Sequence, residues 1–286
     1  MRPKVKNSKK KLAFTIIELL TVLSIIVILI GLLVPSLNRV RRYARLVKQK
    51  AQFHSIGIAL DLFSAELTKL EEYPPSEWFG GDGQSYCGAM KLAEAMVGQD
   101  LLGFHPDSAW RADGRDAGGV EDLYPDPPPS DNLKSRIGPY LQLDNANAYQ
   151  IGNVYGEENC EPFDPCSIVL CDVYTRVKHE VTGRKIGMPI LYYKADTSNS
   201  QHNIDDADDP ENIYDYMDND ELVGLGMKWD PCEHPIYTDP LIFYEMTWNK
   251  DITTMYRPYN SDSYILLSAG FDGEYGTSDD VFNFED

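Results

Sequence analysis

Apolar positions follow three regimes along the chain. From Leu12 to Val34 they form one run, LAFTIIELLTVLSIIVILIGLLV, 23 residues with a single charge at Glu18. A helix of that length, rising about 1.5 Å per residue, crosses a hydrocarbon core of roughly 30 Å. After Pro35 the pattern becomes periodic, with Phe53, Ile56, Leu60, Phe63, Leu67 and Leu70 at steps of three and four. Such spacing traces one stripe on a helix, and Pro74-Pro75 stops it. Together the two regimes predict one long, bent helix from Phe14 to Tyr73, about 90 Å in length.

The third regime is a series of short apolar runs. Ser167–Cys171, Met188–Tyr193, Leu241–Tyr244 and Ser263–Ser268 read as strands, with Val281–Phe284 as a short last one. Pro189 puts the second of these at a sheet edge or at its own start. Lys91–Val97 reads as a short helix. The stretch 74–160 is rich in Gly, Pro, Asp and Ser, includes the turn-forming Asp126-Pro-Pro-Pro-Ser130, and reads as a variable loop region. One long helix followed by short strands predicts an α+β fold with an antiparallel sheet.

Charge divides the chain more sharply than its net value of −19 suggests. Residues 1–50 hold 12 of the 26 Lys and Arg and one of the 45 acids, so the remainder carries about −30. A domain that acidic repels phosphate and is a poor nucleic-acid binder. It suits a solvated exterior and hard cations. The densest acidic stretch, Asp205 to Glu221, has no Gly at the sixth position of an EF-hand loop and reads as a solvated loop. Of the five cysteines, Cys160, Cys166 and Cys171 lack zinc-site spacing, and the odd count leaves one over if the others pair. His54 beside the helical stripe reads as an ordinary surface or core histidine. No G-x-S-x-G, Walker A, H-E-x-x-H or G-x-G-x-x-G is present, and catalysis is not expected.

Six bases precede the apolar run (Arg2, Lys4, Lys6, Lys9, Lys10, Lys11) and six follow it (Arg39, Arg41, Arg42, Arg45, Lys48, Lys50), so charge alone does not orient it. The run is too long for a secretory signal peptide and lacks its cleavage site. Glu18 is the odd residue. A carboxylate in a membrane costs about 2.5–3.5 kcal/mol or more. Near a helix start the macrodipole favours it.

The segment Lys10-Lys-Leu-Ala-Phe-Thr-Ile-Ile-Glu18-Leu-Leu20 resembles the type IV prepilin motif shared by pilins and type II secretion pseudopilins. The resemblance implies a leader at 1–13, a cut by prepilin peptidase between Ala13 and Phe14, and N-methylation of Phe14. It makes Glu18 the fifth residue of the mature chain. The Glu18 carboxylate would then pair with the Phe14 amine of a neighbouring subunit, turning a burial cost into a register for assembly. Where the family has Gly before the cut, this chain has Ala13, the nearest residue in size. Pro35 matches a position where many helices of the family bend.

The tail reads Ser268-Ala-Gly-Phe-Asp272-Gly-Glu-Tyr-Gly276-Thr-Ser-Asp279-Asp280-Val. Its carboxylates supply the oxygens a Ca²⁺ site needs, and its glycines permit tight turns. It is similar to the SAGxDGxxGTxDD segment of the type II secretion major pseudopilin. Gly187–Tyr193 is similar to the GxPxxY strand of those proteins. The resemblance implies Ca²⁺ held by Asp272, Asp279 and Asp280, with backbone carbonyls near Ala269 and Thr277. The whole chain then divides into a leader at 1–13, a transmembrane helix at 14–37, an amphipathic stalk helix at 38–73 and an exported domain at 74–286 with its calcium loop at 268–281. The implied architecture is a pilin fold, a long helix packed on an antiparallel sheet domain with large loop insertions at 74–185 and 195–260.

Three functions stay open at this point. The first is a pseudopilin of a type II secretion system. Such a subunit sits in the inner membrane as a single-pass protein with its C-terminal domain periplasmic or extracellular, and polymerises with other pseudopilins on the inner-membrane platform. The second is a structural or adhesive type IV pilin, which the enlarged exterior domain favours. The third is a membrane-anchored calcium-dependent binding protein that does not polymerise.

Overall fold

The computed structural model describes residues 16–67, 72–175, 177–178, 183, 185–226 and 234–284. The chain divides into two compact units, Met1–Ala44 and Arg45–Asp286. One helix, α1 (Ile16–Glu66), contributes to both. It runs through Pro35 without interruption and ends at Glu66, short of the expected end at Tyr73. Leu70, the last residue of the expected stripe, lies outside the described residues.

In the first unit every described side chain of α1 is exposed, including Ile16, Ile25, Leu29 and Leu32. This is a helix long and apolar enough to cross a membrane. Two of its hydroxyls bond back to the helix itself. The Thr21 hydroxyl donates to the Glu18 carbonyl at 3.0 Å and the Ser24 hydroxyl to that of Leu20 at 2.9 Å. A helix that bonds its own polar groups in this way needs no water to do so.

The second unit is α+β. Strands β1 (Ala148–Gln150) and β2 (Ile168–Leu170) pair antiparallel, as do β3 (Val177–Lys178) and β4 (Lys185–Ile186). The main sheet has three antiparallel strands in the order β5 (Leu191–Lys194), β6 (Tyr264–Ser268), β7 (Val281–Phe282). Leu191 faces Leu267, Tyr193 faces Ile265, and Leu267 faces Phe282 across the ladders. All five residues of β6 are buried, so both faces of the sheet are covered. Strand alternation sends Tyr264 and Leu266 to one hydrophobic cluster and Ile265 and Leu267 to another.

The α1 stripe covers the first face. Phe53, Ile56, Leu60 and Phe63 are all buried there, together with Ala59 and the sheet residues Tyr192, Tyr264 and Leu266. Burying four such side chains contributes roughly 6–12 kcal/mol before the entropy of ordering them. Two glutamines fix the helix along its length. Gln52 Nε2 donates to the Cys171 carbonyl at 2.9 Å, and Gln49 Oε1 accepts the Val173 N–H at 3.0 Å. His54 is exposed, as expected of an ordinary surface histidine.

The second face is covered by residues of the inserted segments, including Ile151, Val154, Tyr155, Ile213 and Tyr214. The helix α2 (Gly88–Val97), expected from Lys91 to Val97, has every residue buried and gives Ala89 and Met90 to this cluster and Leu92, Ala93, Ala95, Met96 and Val97 to that of the first face. Its Gly88 lies against the Tyr192 carbonyl so closely that a Cβ has no room. Two charges inside this helix are held by named partners. Lys91 Nζ donates to the carbonyls of Glu77 (2.7 Å) and Phe79 (2.9 Å). The Glu94 carboxylate accepts from Tyr86 (2.7 Å), Ser108 (2.6 Å), Tyr124 (2.8 Å) and Gln99 (3.2 Å). These bonds tie residues 77–124 to the core, so the stretch read as variable loop is structural.

The strand expected at Leu241–Tyr244 is instead a helix, Leu241–Thr247. Phe243, Tyr244 and Thr247 are buried, a helical spacing, and the Phe243 ring lies 4.6 Å from that of Tyr193. A four-residue apolar run fits either period. The Asp239 carboxylate, which accepts the Leu241 N–H at 3.2 Å, helps start the helix. The other strands fall where expected, with Met188–Tyr193 shifted to Leu191–Lys194 and Val281–Phe284 shortened to Val281–Phe282.

Candidate functional site

The loop between β6 and β7 holds the acidic cluster. Gly270 turns the chain at φ +64°, a conformation side chains disfavour, and the Asp279 carbonyl fills the space a Cβ would take. Gly276 turns it back at φ +94°. These turns fold Asp272 and Asp279 onto one another. Asp279 Oδ2 accepts the N–H groups of Phe271 (2.6 Å) and Asp272 (3.0 Å). The Thr277 hydroxyl lies 3.0 Å from Asp272 Oδ2 and 2.8 Å from Asp279 Oδ1, and its one proton serves one of them at a time.

Two carboxylates this close do not both ionise freely. Burial raises the Asp272 pKa, and the neighbouring Asp279 raises it further. Burial also opposes ionisation of Asp279, but hydrogen bonds from Asp272, Thr277 and two backbone N–H groups outweigh it and hold its pKa low. The two carboxylates therefore differ, with Asp272 above its ordinary range and Asp279 below it. Asp280 is a separate case. Its Oδ2 accepts the Gly276 N–H at 2.7 Å, while its buried Oδ1 has no hydrogen-bond partner. Burial pushes its pKa well above the usual carboxylate range, and the charges of Asp272 and Asp279 add to this.

The expected ligand set is thus brought together in part. Asp272, Asp279 and Thr277 converge. The Ala269 carbonyl accepts the Gly273 N–H at 3.2 Å, and the Thr277 carbonyl accepts the Asp280 N–H at 3.3 Å. Among the described residues, no three His, Cys, Asp or Glu side chains form a group able to hold a metal ion. The chemistry that does fit a hard cation is a two-carboxylate nucleus with a buried carboxylate oxygen beside it.

Two anchors of this loop are not legible in the sequence. Ser268 donates to the buried Asp172 carboxylate at 2.8 Å and accepts the Gly270 N–H at 3.3 Å. The Arg45 guanidinium of α1 sits 5.5 Å from the centre of the Phe271 ring. Arg45 and Phe271 are 226 positions apart in numbering, and no local pattern links them.

The other expected site residues lie elsewhere. Glu18 is exposed in the first turn of α1. Ala13 and Phe14 lie outside the described residues. The acidic stretch 205–221 is only partly the solvated loop expected. Asp205, Asp206 and Asp208 are exposed, but Asp218 is buried and accepts a hydrogen bond from the Ser76 hydroxyl. Burial raises its pKa to about 8 despite that bond. No protein-family model, curated protein or solved structure matches this chain.

Proposed function

We propose that the chain is a pseudopilin-like structural subunit of a type II secretion system, acting by polymerisation and not by catalysis. Prepilin peptidase cuts it between Ala13 and Phe14, and Phe14 is N-methylated. The α1 helix holds it in the inner membrane until it joins other pseudopilins on the assembly platform to form a periplasmic filament. One observation carries this reading. A single helix begins with nineteen exposed, mostly apolar residues bearing one carboxylate, Ile16–Val34, and ends as the core of an α+β domain through Phe53–Phe63.

Each part has a physical role. In the filament, apolar helix surfaces meet one another, and Glu18 pairs with the Phe14 amine of a neighbour. A Ca²⁺ ion is held by Asp272 and Asp279. Asp280 and the carbonyls of Ala269 and Thr277 complete the oxygen shell. The test has two parts. Mass spectrometry of the mature protein is expected to find Phe14 at the N-terminus, methylated, and an intact Met1 start refutes the leader. Glu18→Ala is expected to abolish filament assembly, read by electron microscopy of sheared material, while membrane insertion persists.

One observation favours a second reading, a type IV pilin displayed outside the cell. The inserted segments build a complete second hydrophobic layer over the sheet, including Phe243, Tyr244, Ile213 and Tyr214. A domain enlarged in this way suits an exposed fibre. Immunolabelling of intact cells separates the two, since a surface fibre is labelled and a periplasmic filament is not.

A further inference from the structure

We infer that His234 is the residue that positions the loop between β6 and β7 for its cation, an inference that rests on the Ca²⁺ reading of that loop. His234 belongs to the inserted stretch 195–260 and stands just before the short helix Pro235–Thr238. It is fully buried, and its Nδ1 accepts the Tyr275 N–H at 3.1 Å. The two rings meet edge to face, 4.8 Å apart. The Ile236 N–H donates to the Tyr275 carbonyl at 3.2 Å, so this short segment engages both backbone groups of one loop residue. The phenol of Tyr275 donates in turn to the Pro189 carbonyl, just ahead of β5. Gly276 lies so close against Pro235 and Ile236 that a Cβ has no room.

Tyr275 and Gly276 sit between the expected ligands, after Asp272 and before Thr277, Asp279 and Asp280. The Gly276 N–H donates to Asp280 Oδ2 at 2.7 Å, so the place of Tyr275 sets the place of that carboxylate. Ordering a loop at the moment of binding costs affinity, and order imposed beforehand by the fold removes that cost. His234 holds Tyr275 as an acceptor. Burial lowers its pKa to about 4, so at neutral pH the ring keeps the Nδ1 lone pair and carries its proton on Nε2. Among the described residues Nε2 has no hydrogen-bond partner and His234 joins no group of metal-ligating side chains, so its part is to hold the loop and not to bind the ion. Without the acceptor the buried Tyr275 N–H is left unmet, and the loop must move to satisfy it, taking Gly276 and Asp280 along.

The test is isothermal titration calorimetry of the full chain in detergent with calcium chloride, below the melting midpoint of every variant. His234→Phe removes the acceptor and keeps a buried ring. It is expected to raise the Ca²⁺ dissociation constant about ten-fold, equivalent to about 1.4 kcal/mol and near the upper end of a net hydrogen bond. His234→Asn puts a carbonyl oxygen where Nδ1 stands and is expected to restore the original affinity. His202→Phe is the control, since His202 is equally buried and accepts the Tyr214 N–H at 3.1 Å, outside the loop. It is expected to leave the affinity unchanged. Unaltered affinity in His234→Phe overturns the inference, as does an equal loss in His234→Asn or in His202→Phe. Should His234→Phe not fold, His234→Gln, whose amide extends past the Nδ1 position, carries the same expectation. Absence of Ca²⁺ binding in the unaltered protein overturns the Ca²⁺ reading and this role with it.

Discussion

The two parts of α1 are made of similar residues and end in opposite environments. Leu29 is 52% exposed and Leu60 is fully buried, though both are leucines in the same helix. What separates them is pattern. Between Ile16 and Val34 apolar residues point in all directions, so no single protein face can cover them and a bilayer or a bundle of helices must. Between Phe53 and Phe63 they keep to one stripe, and one sheet face covers it. All-round apolar exposure and one-sided core packing are thus divided within one element by periodicity alone.

The sharpest way to break that comparison is to truncate both leucines. Leu60→Ala is expected to destabilise the second unit by about 2–5 kcal/mol, from lost burial plus the cavity left behind. Leu29→Ala is expected to leave its thermal midpoint unchanged. Circular dichroism melts in detergent measure both, and equal shifts would mean that the two segments do not differ as described.

Calcium gives the next largest effect. In the Ca²⁺ reading, saturating ion at a hundred times its dissociation constant adds about 2.7 kcal/mol to the folded domain. EDTA is expected to lower the midpoint accordingly, and Asp279→Asn to remove the response. An unchanged melt with and without EDTA would falsify the site.

Asp218 adds a pH dependence to the second unit. Its folded pKa of about 8 exceeds an unfolded value near 3.8, so the folded state binds the extra proton between those limits. Its contribution is fully present below pH 3.8 and is lost as pH rises toward 8. His202 acts in the reverse sense. Burial lowers its pKa to about 3, so its contribution is present above pH 6.5 and lost as pH falls. Between pH 6.5 and 8 the Asp218 slope acts without that opposition, at about 1 kcal/mol per pH unit. Asp218→Asn is expected to flatten urea-unfolding stability across that window, and an unaltered slope removes Asp218 as its source. The smallest effect is at the surface. The Lys134–Asp131 pair is fully solvated at 2.9 Å, and Lys134→Ala is expected to change stability by less than about 0.5 kcal/mol.

The turn-rich segments were the least legible part of the chain. Residues 88–97 hold the helix expected at Lys91–Val97, but their burial on all sides leaves no amphipathic stripe to show how deeply it sits. The partners of its charges Lys91 and Glu94 come from Glu77, Tyr86, Ser108 and Tyr124, which no local pattern links to it. Leu241–Tyr244 misled for a different reason, since four apolar residues carry no period. In the C-terminal loop the sequence named the acidic residues, but it did not show that Asp272 and Asp279 converge while Asp280 bonds to Gly276.

By itself, then, the sequence determined the long helix, its change from all-round apolar to one-sided, the strands β2, β6 and β7, and the glycine turns of the acidic loop. These rest on local physics, namely side-chain periodicity, backbone freedom and the cost of charge in an apolar run. Only the tertiary structure decided that the insertions form the second layer of the core, that Asp218 is buried, and that Arg45 meets Phe271. Those depend on contacts between residues far apart in the chain, where burial and partners are set by the fold and leave no periodic trace in the sequence.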